Sequence, residues 1–215
     1  MKRLQKLIKE KEIIIIGVTG GVGCGKSKVL DFLTEKYNAR IYKTDDIGHM
    51  VMEPGTIAYD KIIGYFGRGI VSDDLSINRK ALGAIVFNDE NKLEFLNSVI
   101  HPAVETYIIN DIIKTYTEEC HRLFVIEAAL LIESGYKRFC NELWYIYAHM
   151  STRIARLMES RNYSKDKCLS VMNNQLSEEE FRKNCDFTVD NENDFNNTKN
   201  QIENHMNFCY NYTID

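Results

Sequence analysis

The residues best suited to chemistry lie near the start of the chain, in Gly20-Gly21-Val22-Gly23-Cys24-Gly25-Lys26-Ser27. This is the spacing G-x-x-x-x-G-K-S. Glycines at such positions let backbone N–H groups converge on phosphate oxygens without Cβ obstruction, and a helix that follows adds its positive dipole end. Lys26 is placed to lie against the β- and γ-phosphates of a nucleotide, and the Ser27 hydroxyl to bind Mg²⁺. The β-branched run Ile13-Ile14-Ile15-Ile16-Gly17-Val18 precedes the loop, while Val29, Leu30 and Leu33 follow at helical spacing. The context is therefore strand, phosphate-binding loop, helix, rather than a chance cluster of glycines.

Further candidates are carboxylates at the ends of predicted strands. Ala39 to Lys43 predicts a second strand ending at Thr44-Asp45-Asp46, and ligands of open parallel sheets bind at that edge. Asp45 is accordingly a candidate for work on the phosphates or on the group that attacks them; the competing reading is a helix N-cap before Ile47. Leu123-Phe124-Val125-Ile126-Glu127 repeats the buried-strand pattern, and Glu127 at its end is a candidate for positioning Mg²⁺ through water, with Glu133 a candidate for a substrate contact. Leu143 to Tyr147 and Asp186 to Asn191 predict two more strands. Ser151 to Arg161 predicts a helix whose Arg156 and Arg161 suit a cationic clamp on a migrating phosphoryl group, often carried on a lid that excludes water.

The elements between must position these groups. From Glu53-Pro54-Gly55-Thr56 to about Thr117 the pattern is helical, without a strand of parallel-sheet type, and predicts an inserted lobe. Arg79 opens one of its helices and could bind an anion. Two helices, Asn91 to Val99 and Pro102 to Tyr116, are expected to meet at Ile100-His101-Pro102, with the His101 ring packed at the junction. Lys165 to Asn173 and Ser177 to Asn184 are helical, the second opened by a Ser177-x-x-Glu180 capping box. Phe195 to Tyr210 predicts a closing helix. His205 and Cys209 share one of its faces, although two ligands do not make a metal site.

Composition limits the partners. The chain has 215 residues, 44% hydrophobic, with a net charge of −4, which gives no electrostatic footprint for nucleic acid and points to a small-molecule partner. Its six cysteines form no C-x-x-C pair, as expected of reduced thiols. The basic start and short apolar run do not make a signal peptide, and no stretch reaches membrane-spanning length, so a cytoplasmic location without membrane association is expected. The boundaries expected are an extension over 1–12, short and either helical or frayed, a nucleotide-binding domain over 13–210 and a tail over 211–215.

Taken in order, the phosphate loop, Asp45, Glu53-Pro54-Gly55, Asn78-Arg79, His101-Pro102, Leu130-Leu131-Ile132-Glu133, Arg156-Leu157 and Asp190-Asn191 make the chain resemble the dephospho-CoA kinases over about residues 13 to 205. The resemblance implies an α/β fold: a three-layer P-loop kinase core on a parallel sheet, with an inserted helical substrate-binding lobe (about 54–117) and a lid (about 153–180). It implies transfer of the γ-phosphoryl of ATP, with Mg²⁺, to the ribose 3′-hydroxyl of dephospho-CoA. By position it makes Asp45, Lys26 and Arg156 catalytic. It gives the nucleotide Gly21, Val22, Gly23, Cys24, Gly25, Lys26, Ser27, Lys28, Arg156 and Asn191, the last near the adenine. It gives the substrate Asp45, Arg79, His101, Leu131, Glu133 and Arg161, and the metal Ser27. A monomer or weak homo-oligomer is expected.

The chain also departs from that family's pattern. Lys43 stands where an Asp-x-Asp pair usually begins, Lys28 where Thr commonly follows the loop serine, and Ala129 where proline often precedes the paired leucines. Two other classes would also use such a loop: another P-loop kinase acting on a nucleoside monophosphate or small alcohol, and a nucleotide-binding regulatory module without turnover. A GTPase is disfavoured, because Asp45-Asp46-Ile47-Gly48 lies too close to the phosphate loop for an intervening strand.

Overall fold

The computed structural model describes residues 1–211; the expected tail beyond Asn211 lies outside the described residues. The chain divides into two compact units, Met1–Tyr42 with Tyr116–Asp215, and Lys43–Thr115.

The first unit is built on a five-stranded sheet. In chain order its elements are α1 (Lys2–Lys9), β1 (Ile14–Thr19), α2 (Lys26–Tyr37) and β2 (Arg40–Lys43). After the second unit come β3 (Leu123–Glu127), a 3-10 turn at Tyr136–Phe139, β4 (Glu142–Tyr147), α7 (Met150–Arg161), α8 (Lys165–Met172), α9 (Glu178–Asn184), β5 (Phe187–Asp190) and α10 (Phe195–Tyr210). The strand order is β2-β3-β1-β4-β5. β1 runs parallel to both β3 and β4, with Ile14 opposite Leu123 and Val18 opposite Trp144, and β4 runs parallel to β5. A central parallel strand is covered on both faces, which is why β1 is an unbroken apolar run and not an alternating one. Ile15, Ile16 and Val18 are fully buried. Ile16 and Val18 share one core with Val29, Leu33, Trp144, Ile146, Ile202 and Met206, so truncating Ile16 to alanine would cost roughly 2–5 kcal/mol.

The N-terminal extension is a helix and not a frayed segment. Leu4 is fully buried and Leu7 nearly so. Arg3 donates to Thr117 Oγ1 at 3.1 Å, and Tyr116 donates to Glu12 at 2.6 Å. These contacts supply the tertiary support that an eight-residue helix lacks alone.

The second unit contains α3 (Thr44–Met50), α4 (Ile57–Phe66), a 3-10 turn at Arg68–Ile70, α5 (Arg79–Phe87) and α6 (Glu90–Glu119), whose last turn returns to the first unit. Its core is Ile62, Ile70, Ile77, Leu82 and Leu96, with Tyr59, Val86 and Val99 packed around them. Thr56 caps α4 by accepting the Tyr59 N–H, and Asn78 caps α5 by accepting that of Ala81. Tyr65 stacks on Phe95 at 3.7 Å.

Two expectations fail here. The pair of helices meeting at Pro102 is one continuous helix, α6, with Pro102 inside it. A proline there removes a backbone bond and would ordinarily break the helix at a cost of about 3 kcal/mol. Leu96 before the proline and Val104, Ile108 and Ile112 after it are buried, however, and that packing on both sides outweighs the lost bond. Nor is His101 a packed ring: without a junction to fill, it is exposed on α6.

Candidate active site

The loop after β1 is shaped by residues distant in sequence. Gly25 caps α2 in the left-handed region at φ 90°, and a Cβ there would collide with the Asn191 amide. Gly23, at φ 80°, would set its Cβ 2.8 Å from the Arg153 carbonyl oxygen. Glycine at both positions is thus required by the backbone conformation and by neighbours pressed against the loop.

Those neighbours come from α7, from the segment after α8 and from the end of β5. Arg153 donates from Nε to the Val22 carbonyl at 2.9 Å and from Nη2 to Gln175 Oε1 at 3.0 Å. Gln175 Oε1 also accepts the Val22 N–H at 2.9 Å. Val22 is therefore held at both its backbone groups. Arg156 donates to the Cys24 carbonyl at 3.2 Å and to the Asn191 carbonyl at 2.8 Å. Asn191, almost fully buried, donates from Nδ2 to the same Cys24 carbonyl at 2.8 Å and accepts from Thr198 at 3.0 Å.

Lys26 opens α2 and donates to the Gly20 carbonyl at 2.8 Å, its Nζ standing 3.9 Å from Glu127 Oε1. Both side chains are mostly withdrawn from water. Ser27 and Lys28 are exposed in the first turn of α2, and the Lys28 ammonium lies 5.7 Å from the centre of the Phe195 ring. Burial pushes the Cys24 thiol up, and the positive charges of Lys26, Arg153 and Arg156 offset this only in part. Thr19, at the end of β1, is fully buried with its hydroxyl unpaired among the described residues.

This arrangement concentrates three cationic side chains and a glycine-bound helix start in one place, with a carboxylate at the end of the neighbouring strand. It can hold a chain of phosphates and neutralise charge that develops on them. Arg153 and Gln175 went unnoticed in the sequence. An R-x-x-R pair was visible in Arg153 and Arg156, but nothing local indicated which of them meets the loop; both do.

The remaining predicted residues fall as follows. Asp45 and Asp46 do not cap a helix. They lie in the first turn of α3, both exposed, and the N-cap position belongs to Lys43, whose side chain makes no capping bond. Carboxylates in a first turn still complement the helix dipole. Arg79 is exposed at the start of α5 and lines a small polar cavity of about 230 Å³ with His49, Glu53 and Ser76. A larger, apolar cavity of about 510 Å³ lies between α4 and α6, lined by Ile57, Val99, Pro102 and Tyr107 among others. In the first unit, Leu131 is fully buried, and its Cδ2 lies 2.8 Å from where a Cβ on Gly17 would stand, while Leu130 and Glu133 are exposed. Arg161 is exposed at the end of α7.

No described helix is long and apolar enough to cross a membrane. The model of the dephospho-CoA kinase family matches residues 14–197. A dephospho-CoA kinase of Lactobacillus johnsonii is 36% identical over 176 residues, covering 82% of this chain and 88% of its own. Among solved structures, that of TT1252 from Thermus thermophilus aligns with a TM-score of 0.76 at 23% identity, covering 92% of this chain and 98% of its own. The dephospho-CoA kinase of Campylobacter jejuni aligns with a TM-score of 0.65 at 24% identity, covering 90% and 96%. These two likenesses establish the fold: the α/β P-loop kinase architecture on a parallel sheet. With a family model spanning the sheet, the loop and the arginine helix, the chain belongs to the dephospho-CoA kinase family.

Proposed function

We propose that the chain transfers the γ-phosphoryl group of ATP to the ribose 3′-hydroxyl of dephospho-CoA, giving CoA and ADP. The observation that carries this reading is the loop itself: Lys26 at its end, Arg153 and Arg156 against its backbone, inside a match to the family that spans the domain. In the transfer, the acceptor oxygen bonds to the γ-phosphorus as the bond to the bridging oxygen of ADP breaks. The hydroxyl proton passes to Asp45, and Lys26 neutralises charge on the β- and γ-phosphates. Arg156 and Asn191 keep the loop in its receptive shape through the Cys24 carbonyl. In its present bonds, Arg156 is committed to backbone oxygens, so its contribution begins with the loop and extends to phosphate only when those bonds are exchanged.

Ser27 and Glu127 are hard oxygen donors, and they fit Mg²⁺ better than any softer ion. When bound, Mg²⁺ would supply charge neutralisation on the phosphates. Lys43, which replaces the first acid of the family's usual pair, contributes no oxygen to such a set, which leaves that share to Glu127. In the second unit, Arg79 with its polar cavity suits an anionic group of the acceptor, and exposed His101 suits a hydrogen bond to it. Leu131 supports the acceptor side through the strand exit, because its buried side chain packs at Gly17. Glu133 and Arg161, both exposed, complete the acceptor set. The protein acts in the cytoplasm on small molecules, without nucleic acid, as a monomer or weak homo-oligomer.

The test is ADP release from ATP and Mg²⁺ with dephospho-CoA, run beside AMP, CMP, shikimate and no acceptor, with the product identified by mass. Stimulation by dephospho-CoA alone, yielding CoA, is the expected result. Stimulation by a different acceptor moves the chain to a sister kinase, and tight ATP binding without transfer makes it a binding module.

A further inference from the structure

At the opposite end of the sheet from the phosphate loop, Glu142 opens β4 beneath the last turns of α10. Its carboxylate accepts from Trp144 Nε1 at 3.0 Å and from the Tyr210 hydroxyl, and it stands 2.7 Å from His205 Nε2. A carboxylate only accepts, so Nε2 carries the ring proton and Nδ1 is the nitrogen with a lone pair to offer. The ring cannot turn away: it is stacked on Phe187 at 3.7 Å and 8° and lies edge-on to Trp144. One helical turn further on, Cys209 Sγ lies 3.9 Å from Nδ1. An imidazole nitrogen and a thiolate sharing one tetrahedral Zn²⁺ stand about 3.6 Å apart, given the usual Zn–N and Zn–S lengths. The difference is within one rotamer adjustment of an exposed cysteine. Glu142, His205 and Cys209 also form the one cluster among the described residues with three ligand atoms mutually within 4.8 Å.

We propose that His205 Nδ1 and Cys209 Sγ chelate one thiophilic divalent cation of the zinc class, with Glu142 holding the imidazole from behind and water completing the coordination. The carboxylate behind a ligating histidine fixes its tautomer and raises its basicity, as outer partners of metal sites commonly do. Binding exchanges the thiol proton for the metal: Cys209–SH and M²⁺ give a Cys209 thiolate–metal bond and one released proton, with no change of oxidation state. The thiolate and carboxylate then balance the ion's two charges. Such a site would tie together the last turns of α10, away from the residues of the kinase reaction.

The experiment uses the full chain, tag-free and stripped with a chelator, without nucleotide. Co²⁺ is added as a spectroscopic probe and Zn²⁺ by calorimetry in two buffers of different ionisation enthalpy. The expected results are one ion per chain, a thiolate-to-cobalt charge-transfer band, and one proton released per Zn²⁺. Cys209→Ser should abolish the band and weaken Zn²⁺ binding by at least about tenfold, Glu142→Gln should weaken it by about 10–100-fold, and kinase turnover of Cys209→Ser should stay unchanged. Cys120→Ser, at an exposed cysteine elsewhere, should keep the band. A wild-type protein without the band, or a band and affinity that survive in Cys209→Ser, overturns the proposal. Because Cys209 is exposed, its replacement leaves the fold intact and the result interpretable.

Discussion

Arg153 grips Val22 by its carbonyl oxygen at 2.9 Å, and the same guanidinium holds the Gln175 oxygen that takes the Val22 N–H. A residue at the tip of a phosphate loop is thus fastened on both sides by α7 and the segment after α8. Removing either partner releases the loop, whose glycines have the greatest freedom to lose shape. Gln175→Ala should raise the Kd for ATP roughly tenfold, the scale of one hydrogen bond involving a charged group, and Arg153→Ala should do so at least as strongly. Because the three groups form one network, the double variant should be less impaired than the product of the single effects. Calorimetric titration of ATP into the four proteins checks this.

Binding and turnover should separate at Asp45. Asp45→Asn keeps the side chain's size but cannot take the acceptor proton, so kcat should fall by about 10²–10⁴-fold while ATP affinity is retained. Lys26→Met should instead damage both, with kcat down by about 10²–10³-fold or more. Near-normal turnover in Asp45→Asn would sink the assignment of that residue.

Much of this was legible in the sequence, for an identifiable reason. Strands buried on both faces announce themselves as apolar runs, and β1, β3 and β4 did so. Caps are local too: the Ser177/Glu180 box is where the sequence places it. What was hidden is non-local. Pro102 signals a break to anyone reading neighbours alone, and only the burial of Leu96 before it and Ile108 after it, set by the fold, carries the helix through. Gln175 is a polar residue between two helices until the fold sets it against Val22. Nothing near His205 and Cys209 announces the carboxylate behind the imidazole, because Glu142 is distant in sequence.

Acid should loosen the start of α7. Glu192 accepts from the His149 N–H at 2.6 Å and from Thr152 Oγ1 at 2.5 Å. These bonds, Thr152 first, hold its carboxyl below the ordinary 4.5. A depressed folded value means the stabilisation is complete above the unfolded value and disappears as pH falls through the folded one. Glu192→Gln should therefore lower Tm slightly at pH 7, with the gap to the wild type closing below about pH 4.5. Thermal melts across that range test it.

Cysteine reactivity should divide the chain sharply. Cys24 is buried in the loop with its thiol pushed up, and Cys140 and Cys185 are pushed up to about 12 by burial. Alkylation of the folded protein at pH 8 should therefore label exposed Cys120 first and leave Cys24 unmodified until the chain unfolds. Mass spectrometry of timed samples gives the order. Early labelling of Cys24 would mean that the loop opens far more readily than its contacts imply.

The strand order has a consequence for biosynthesis. β1 finds its partners only in β3 and β4, so Ile14 waits for Leu123 and Val18 for Trp144 while the ribosome makes everything between. During that interval an isoleucine-rich segment with unpaired edges is out of its tunnel and unprotected, the condition in which nascent chains aggregate or engage chaperones. The helices of Lys43–Thr115 have their own core and can condense meanwhile. A strand made well before its neighbours is therefore among the last elements of this sheet to become native, and nucleotide can stabilise the loop that follows it only once Leu123 and Trp144 have been made.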